Sequence, residues 1–292
     1  MKIVQGDATE LNPASFHRGG SAKYAYLLDG DPSSPVDNYS LVIAQTPTRY
    51  SPRHRHNFEQ FRYQIEGVAD YGRTGKLSPG MLGYFPEGVH YGPQTQDEGE
   101  TLTMLVLQCG GASGSGYPGR AATKRAQAEL RELGTFKDGV FHPNAGSSEK
   151  KNVDGFQAIW EHLNGRSLVY PKPRYDVPIL VHPENFDYLP VEGAQGVFAK
   201  QLGVFTEFRS KAGLLKIEAG ASYSVVGKRD ILFVIAGTGG ANGELLRRFT
   251  TMFLDFGERA TIRADEPLEI LHLRLPDLRS LVARQSTSIA AE

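Results

Sequence analysis

The sequence predicts an all-β chain built as two related halves, with helix confined to the connection between them. Three observations predict it. Glycine and proline, 33 and 17 of 292 residues, are spread along the whole chain and punctuate many short strand-like runs. Helical patterning is confined to Ala121–Leu133, stopped by Gly134, and to a shorter run from Phe156 to Leu163 ahead of Gly165. Finally, a strand-like run ending at Gly67 returns, in altered form, at Gly237, an offset of 170 residues.

The first half is organised around Ser51-Pro-Arg-His54-Arg-His56-Asn-Phe-Glu59-Gln60-Phe-Arg62-Tyr-Gln64-Ile-Glu-Gly67. In extended chain the side chains at i and i+2 share a face, so His54 and His56 can reach one metal ion. Imidazole suits zinc, copper, iron and nickel alike, so the pair indicates a transition metal without naming it. A second segment, Gly80-Met-Leu-Gly-Tyr-Phe-Pro86-Glu-Gly88-Val-His90-Tyr-Gly-Pro-Gln94, reads as a strand, a proline-glycine turn and a third histidine returning toward the same place. The alternation that pairs the histidines also puts Phe58, Gln60, Arg62 and Gln64 on their face, and Phe61, Tyr63 and Ile65 on the other. Arg62 then offers a planar fork matched to a carboxylate. Alternatively, a bulge turns Arg62 outward, or it only pairs with Glu59 or Glu66. Tyr84 and Tyr91 flank His90 and either hydrogen-bond a substrate or pack the mouth of the site.

The two segments resemble the paired motifs of the cupin superfamily: Gly, five residues, His-x-His, three or four residues, Glu, six residues, Gly; then Gly, five residues, Pro-x-Gly, two residues, His, three residues, Asn. His54, His56, the step from Gln60 to Gly67, the step from Gly80 to Pro86, and Gly88 match. Three positions depart: Gln60 stands for the glutamate, His90 comes one residue early after Gly88, and Gln94 replaces the asparagine. The resemblance implies RmlC-like jelly-roll β-barrels, here two of them, with a short, partly helical connecting segment. It also implies one divalent transition metal per chain (Fe, Ni, Zn or Mn), held by His54, His56, Gln60 and His90. Arg62, Gln64, Tyr84 and Tyr91 are the expected substrate-binding residues. Gln60 either coordinates or stands back from the metal, and Glu59 is a further candidate. With neutral ligands only, a divalent ion keeps its full charge, which favours an anionic ligand.

Setting Gly67 on Gly237 lays Phe61–Gly67 over Ile231–Gly237, but places Ser224, Val226 and Asp230 where His54, His56 and Gln60 stand. His272, in the apolar run Leu268–Leu275, comes too late for the missing histidine and reads as a satisfied core or interface residue. The chain therefore resembles a bicupin with a degenerate C-terminal half. A chance overlay of two β-rich segments is the alternative. The expected domains are residues 1–110, a barrel with the metal site; 111–175, a linker with short helices; and 176–292, a barrel without ligands. Gly110–Gly119 is glycine-rich enough for a flexible, lid-like stretch. Prolines keep the region after Tyr170 extended, and Gly237–Gly243 reads as a turn rather than a phosphate loop.

Composition narrows the partners. Lys and Arg total 32 against 33 acidic residues, so bulk charge gives no sign of nucleic-acid or membrane binding. The single cysteine, Cys109, excludes an intramolecular disulfide and suits a reducing cytoplasm. No stretch reaches the roughly 20 apolar residues of a membrane span. A homodimer is expected, because sheet edges and outward apolar faces must be covered. His17, His142, His162 and His182 read as surface residues. Fold does not fix function, and three activities remain open for a small anionic, oxygen-rich ligand. They are an Fe(II)-type ring- or enol-cleaving dioxygenase, a non-redox metal enzyme (isomerase, lyase or cyclase), and a binding protein without turnover.

Overall fold

The computed structural model describes residues 1–6, 11–14, 21–48, 50–96, 99–144 and 153–283; His17 lies outside the described residues. These divide into two compact units, one of Met1–Glu10 with His182–Arg284 and the other of Leu11–Val181. The division corrects the expected boundaries at both ends of the first domain. The N-terminal strand β1 (Lys2–Val4) pairs with Thr251–Leu254, so the chain starts in the C-terminal unit. The expected linker, 111–175, packs within the first unit, which closes only after Val181.

Along the first unit run β2 (Asn12–Ala14), β3 (Ser21–Asp29), β4 (Tyr39–Thr48), β5 (Glu59–Glu66), β6 (Ala69–Asp70), β7 (Lys76–Leu77), β8 (Leu82–Phe85) and β9 (Leu102–Cys109). Then come α1 (Arg120–Leu133), β10 (Gly134–Lys137), β11 (Val140–Pro143), β12 (Val153–Asp154), α2 (Gly155–Asn164) and β13 (Ile179–Val181). Seven strands form one antiparallel sheet in the order β13-β8-β5-β9-β4-β3-β2. Facing its inner side is a looser layer made by β6 and β7 and by single bridges Ser51–Gln94, His54–Tyr91 and Asp70–Thr95. Tyr71, Leu77, Met81, Phe85, Leu102 and Met104 fill one end of the interior.

Two glycines of the paired motifs are fixed by local geometry. Gly67 ends β5 at φ +70°, and a Cβ there would lie 2.7 Å from the Thr101 carbonyl oxygen. Gly88 has φ +74° and would meet the Pro171 carbonyl oxygen at 2.2 Å; its N–H donates to the His56 carbonyl at 2.8 Å. Both are left-handed conformations that L side chains adopt only at a cost.

Helix α1 buries Ala126, Gln127 and Leu130 along one stripe. Two of these, with Phe141, Ala158 and Ile159, form a small core shared with α2. Asp154 caps α2 by accepting from the Phe156 and Gln157 N–H groups, an arrangement worth about 1 kcal/mol. Gly165 ends that helix in the left-handed conformation. Residues 110–119 are not a loose lid. The Gly110 N–H donates to the Asn38 carbonyl, Gly111, Ala112 and Tyr117 are buried, and the Asn57 amide holds the Ser115 and Gly116 carbonyls.

The second unit has its own seven-stranded antiparallel sheet, ordered Lys2–Val4, Thr251–Leu254, Asp230–Ala236, Leu268–Arg274, Lys211–Ile217, Val197–Val204 and Leu189–Pro190. A four-stranded sheet accompanies it, ordered Ser222–Val226, Arg259–Ala264, Gly239–Ala241 and Glu244–Leu246. Asn242 and Gly243, both at positive φ, make the tight turn of its last hairpin. Its main core cluster is apolar: Val225, Leu232, Val234, Met252, Ile262 and Ile270 are among the buried residues. Ser224 is exposed, bonded to Thr261. No helix among the described residues is long and apolar enough to cross a membrane.

Candidate functional site

A cavity of about 200 Å³ opens inside the first unit. Alternate residues of four adjacent strands supply one wall: Tyr24 and Tyr26 from β3, Ser40, Val42 and Ala44 from β4, Gln60 and Arg62 from β5, and Val106 and Gln108 from β9. His54, His56 and Phe58 supply the facing edge, and Arg120, Thr123, Lys124 and Gln127 of α1 form the rim. Alternation along β5 is what turns Gln60 and Arg62 inward and packs Phe61 against Tyr84 on the opposite face, rings 5.0 Å apart. Tyr84 is buried on that side, where burial raises its phenol pKa, and it does not line the cavity. Gln64 is fully buried and donates to the Glu66 carbonyl, also outside the cavity.

The centre of the site is Arg62, 4 % exposed. Its Nε and Nη2 donate to Gln60 Oε1 at 3.0 and 2.7 Å, Nη1 donates to Tyr71 Oη and Gln94 Oε1 at 2.9 Å each, and Nη2 donates to Tyr91 Oη at 2.9 Å. All five N–H groups of the guanidinium are thereby used. Every one of these acceptors is neutral, so the hydrogen bonds are satisfied while the charge is not balanced by a carboxylate. Burial works against the charge, but the Tyr71 and Tyr91 oxygens outweigh it and hold the guanidinium above the ordinary arginine range. A buried charge of this kind is costly unless something pairs with it.

Arg62 fixes the rest of the network. Because it only donates, Gln60 must turn its carbonyl oxygen to Arg62 and its amide to His56, whose Nδ1 lies 2.9 Å from Gln60 Nε2. Tyr91 Oη lies 3.0 Å from the same nitrogen. His56 Nδ1 is therefore an acceptor, and the neutral ring carries its proton on Nε2. His54 is the reverse. Its Nδ1 is 2.6 Å from the Pro52 carbonyl oxygen, so Nδ1 donates and Nε2 is the unprotonated nitrogen. The two rings stand 4.9 Å apart, edge to face, with Phe58 and Phe156 against His56 at 4.6 and 5.0 Å.

The expected ligand set does not assemble. His90 is exposed, next to Arg53 and Arg55, and partial burial together with those two charges lowers its pKa. Tyr91 instead pairs with His54 across the bridge, each N–H donating to the other's carbonyl, with rings 4.4 Å apart. Neighbouring residues of an extended segment face opposite ways, so a histidine one residue early faces out. The spacing of two residues after Gly88 falls on Tyr91, which takes the inward place. Among the described residues no group of three or more His, Cys, Asp or Glu side chains is placed to hold a metal ion. Gln60 Oε1, the remaining expected donor, already accepts twice from a guanidinium. The donor set as it stands does not fit a divalent cation: it offers two histidines of opposite tautomer, and a fixed positive charge beside them.

Sequence reasoning missed the rim. Arg120 stacks on Tyr26, its guanidinium carbon 3.6 Å from the ring centre, and pairs with Asp29 at 2.7 Å. Gln127 sits on the buried stripe of α1, 5 % exposed. A polar residue on the apolar stripe of an otherwise charged helix was the available signal. Among the described residues, the cavity lining holds Arg62, Arg120 and Lys124 and no Asp or Glu. His142, His162 and His182 are away from the site; His162 pairs with Glu129 and His182 with Glu184.

Comparison with known proteins supports the fold. A dioxygenase, so named provisionally, from Nostoc punctiforme superposes with a TM-score of 0.63 at 11% identity, covering 94% of this chain and 82% of that one. A protein of Geobacillus kaustophilus gives 0.53 at 12% identity, covering 94% and 95%. An oxalate decarboxylase of Bacillus subtilis gives 0.52 at 17% identity, covering 94% and 77%. Another structure of that decarboxylase concerns its Mn(II) centres. No family model matches the sequence, and no curated protein matches it. The chain has an all-β, bicupin-like fold of the cupin type.

Proposed function

We propose that the N-terminal barrel is a binding cup for a small anionic molecule, in which Arg62 supplies the positive charge. One observation carries this reading: among the described residues, a buried guanidinium without a carboxylate among its hydrogen-bond partners sits in a cavity whose lining contains no Asp or Glu. An incoming anion supplies the missing countercharge in a low-dielectric setting, where charge pairing is strong. Arg62 also orders Gln60 and Tyr91, and through them presents the His56 Nε2–H as a donor. The cavity is smaller than the roughly 300–1,000 Å³ of drug-sized pockets, so the ligand is a metabolite of modest size.

A second reading is a metal-dependent oxygenase or decarboxylase. The adjacent His54 and His56 favour it, as do the printed activities of the structural neighbours. It requires a metal bound against the donor set described above.

Calorimetric titration of chelator-treated protein with benzoate, oxalate and phosphate separates the two. The cup reading expects at least one anion to bind without metal and Arg62→Met to abolish that binding. Binding that appears only after Mn, Fe, Ni or Zn is restored, at about one ion per chain, would establish the second reading instead.

A further inference from the structure

The alternation that turns His54 and His56 into the barrel turns their neighbours out of it. Arg53 is exposed and Arg55 half-buried, and neither lines the cavity. The His54–Tyr91 bridge orients the facing segment in the same way, Tyr91 inward and His90 outward. Arg55 and His90 are therefore outward neighbours across that bridge, and side chains so placed have Cβ atoms about 4.5–5.5 Å apart. The electrostatics agree: beyond burial, the charges that lower the His90 pKa are those of Arg55 and then Arg53, with no carboxylate among them.

Two features give this cluster a fixed shape. The Arg55 guanidinium carbon lies 3.9 Å over the centre of the Tyr170 ring, which holds the group while its N–H groups stay free to donate. Among the described residues neither Arg53 nor Arg55 is paired with a carboxylate. The second feature is the stiff segment that carries Tyr170. Pro171 and Pro173 restrict its backbone, and it crosses Gly88, whose Cβ would meet the Pro171 carbonyl oxygen at 2.2 Å, two residues before His90. Lys172, exposed between those prolines, adds a further cation to this region, whereas Arg174 is already engaged by Glu87.

We propose that Arg53, Arg55 and His90 form a binding site for a phosphate monoester on the outer face of the first barrel. A monoester carries a charge of about −1.5 to −2 at pH 7 and three strong acceptor oxygens, which match three donor side chains drawn from two facing segments. The guanidinium fork suits phosphate geometry, and Arg55 is held ready for it. A nucleic-acid strand offers one charge per phosphate and is gripped through stacked bases. The aromatic face at this cluster is covered by Arg55, so the fit is to the terminal phosphate of a small molecule. The site is separate from the cavity and does not depend on the anion cup.

Nuclear magnetic resonance of the histidine ring C–H groups on the full chain, at pH 7 and fixed ionic strength, tests the site. The His90 signal is the one missing from His90→Gln. Methyl phosphate should shift that signal, and dimethyl phosphate should bind about tenfold more weakly. The dissociation constant read at His90 should rise about tenfold in Arg55→Ser and severalfold in Arg53→Ser, and should not change in Arg62→Met. Arg53→Ser keeps the Arg55–Tyr170 stack, and the wild-type titration needs no arginine variant, so the test stands if Arg55→Ser disturbs folding. A His90 signal unmoved by millimolar methyl phosphate would overturn the site. Equal affinity in wild type and both arginine variants, or loss only in Arg62→Met, would place the phosphate elsewhere, in the latter case in the cup. Dimethyl phosphate as tight as methyl phosphate would overturn the monoester, and a single-stranded oligonucleotide tighter than either would replace the small ligand with a nucleic-acid backbone.

Discussion

Gln60→Glu is the most informative single change, because two properties should move in opposite directions. The new carboxylate would face the Arg62 Nε and Nη2, now 3.0 and 2.7 Å from Gln60 Oε1, and form the charge-assisted pair that the buried guanidinium lacks. The charge of Arg62 would be balanced within the protein, and the cup would be one positive charge poorer. A unit charge removed about 6–8 Å from a bound anion, at an effective dielectric of about 20, costs roughly 2–3 kcal/mol of attraction. Since about 1.4 kcal/mol is tenfold, benzoate should bind about 30- to 100-fold more weakly. The second oxygen would then face His56 Nδ1, which loses its donor from Gln60 Nε2 and must itself become the donor. The proton leaves Nε2, and both histidines then present unprotonated Nε2 atoms beside a carboxylate. The same variant should therefore bind zinc more tightly than wild type. Calorimetry with benzoate and with zinc on one preparation reads both effects. Unchanged or tighter benzoate binding in a variant whose melting temperature is not reduced would refute the electrostatic account of the cup.

Two further predictions concern stability. Burial alone would raise the Asp230 carboxyl, but His272 and Arg274, each 2.7 Å away, outweigh it and bring its pKa down to about 2. A depressed carboxylate pKa stabilises the fold fully above the unfolded value near 3.9 and loses that contribution as pH falls toward about 2. Asp230→Asn should thus cost about 2 kcal/mol at pH 7, and urea unfolding should show the gap to wild type closing in acid; an equal gap at pH 7 and pH 3 would be inconsistent with this linkage. Gly88→Ala should destabilise by about 2 kcal/mol or more, because the new methyl combines φ +74° with a 2.2 Å approach to the Pro171 carbonyl oxygen; a change below about 0.5 kcal/mol in urea unfolding would mean that the turn relaxes freely.

Much of the architecture was legible because it is written in periodicity and punctuation. Strand alternation from Phe58 to Arg62 and the stops at Gly134 and Gly165 follow from local chemistry, and the elements obey them. What was not legible depended on long-range pairing. Lys2–Val4 carries no mark of its partner 251–254, so the first strand's membership in the C-terminal unit could not be read. The glycines of 110–119 suggested freedom, whereas they permit close packing against Asn38 and Asn57. Gln127 was hidden for a similar reason: a helix read as a solvated surface has one stripe that closes a cavity.

The misplaced histidine has a different cause, and it bears on what the site is for. A histidine count registers His90 as a ligand, but a one-residue offset in extended chain reverses the face, so Tyr91 points inward. That change is not isolated. Tyr91 Oη accepts from Arg62 and contacts His56 Nδ1, while Gln60 accepts from Arg62 and donates to the same nitrogen. A histidine at 91 would withdraw the phenol, and a glutamate at 60 would withdraw the amide. Of the departures from the cupin motifs, Gln60 and the shift that turns Tyr91 inward each supply a contact to Arg62 and a contact to His56, and Gln94 supplies one to Arg62. In the second unit the overlay sets Leu232 opposite Arg62 and Val234 opposite Gln64, and both are buried in an apolar core. The same framework can thus fill its interior with hydrocarbon, which stabilises without needing a ligand. The first unit instead keeps a cation and two histidines around open space, an arrangement that costs stability unless a ligand completes it.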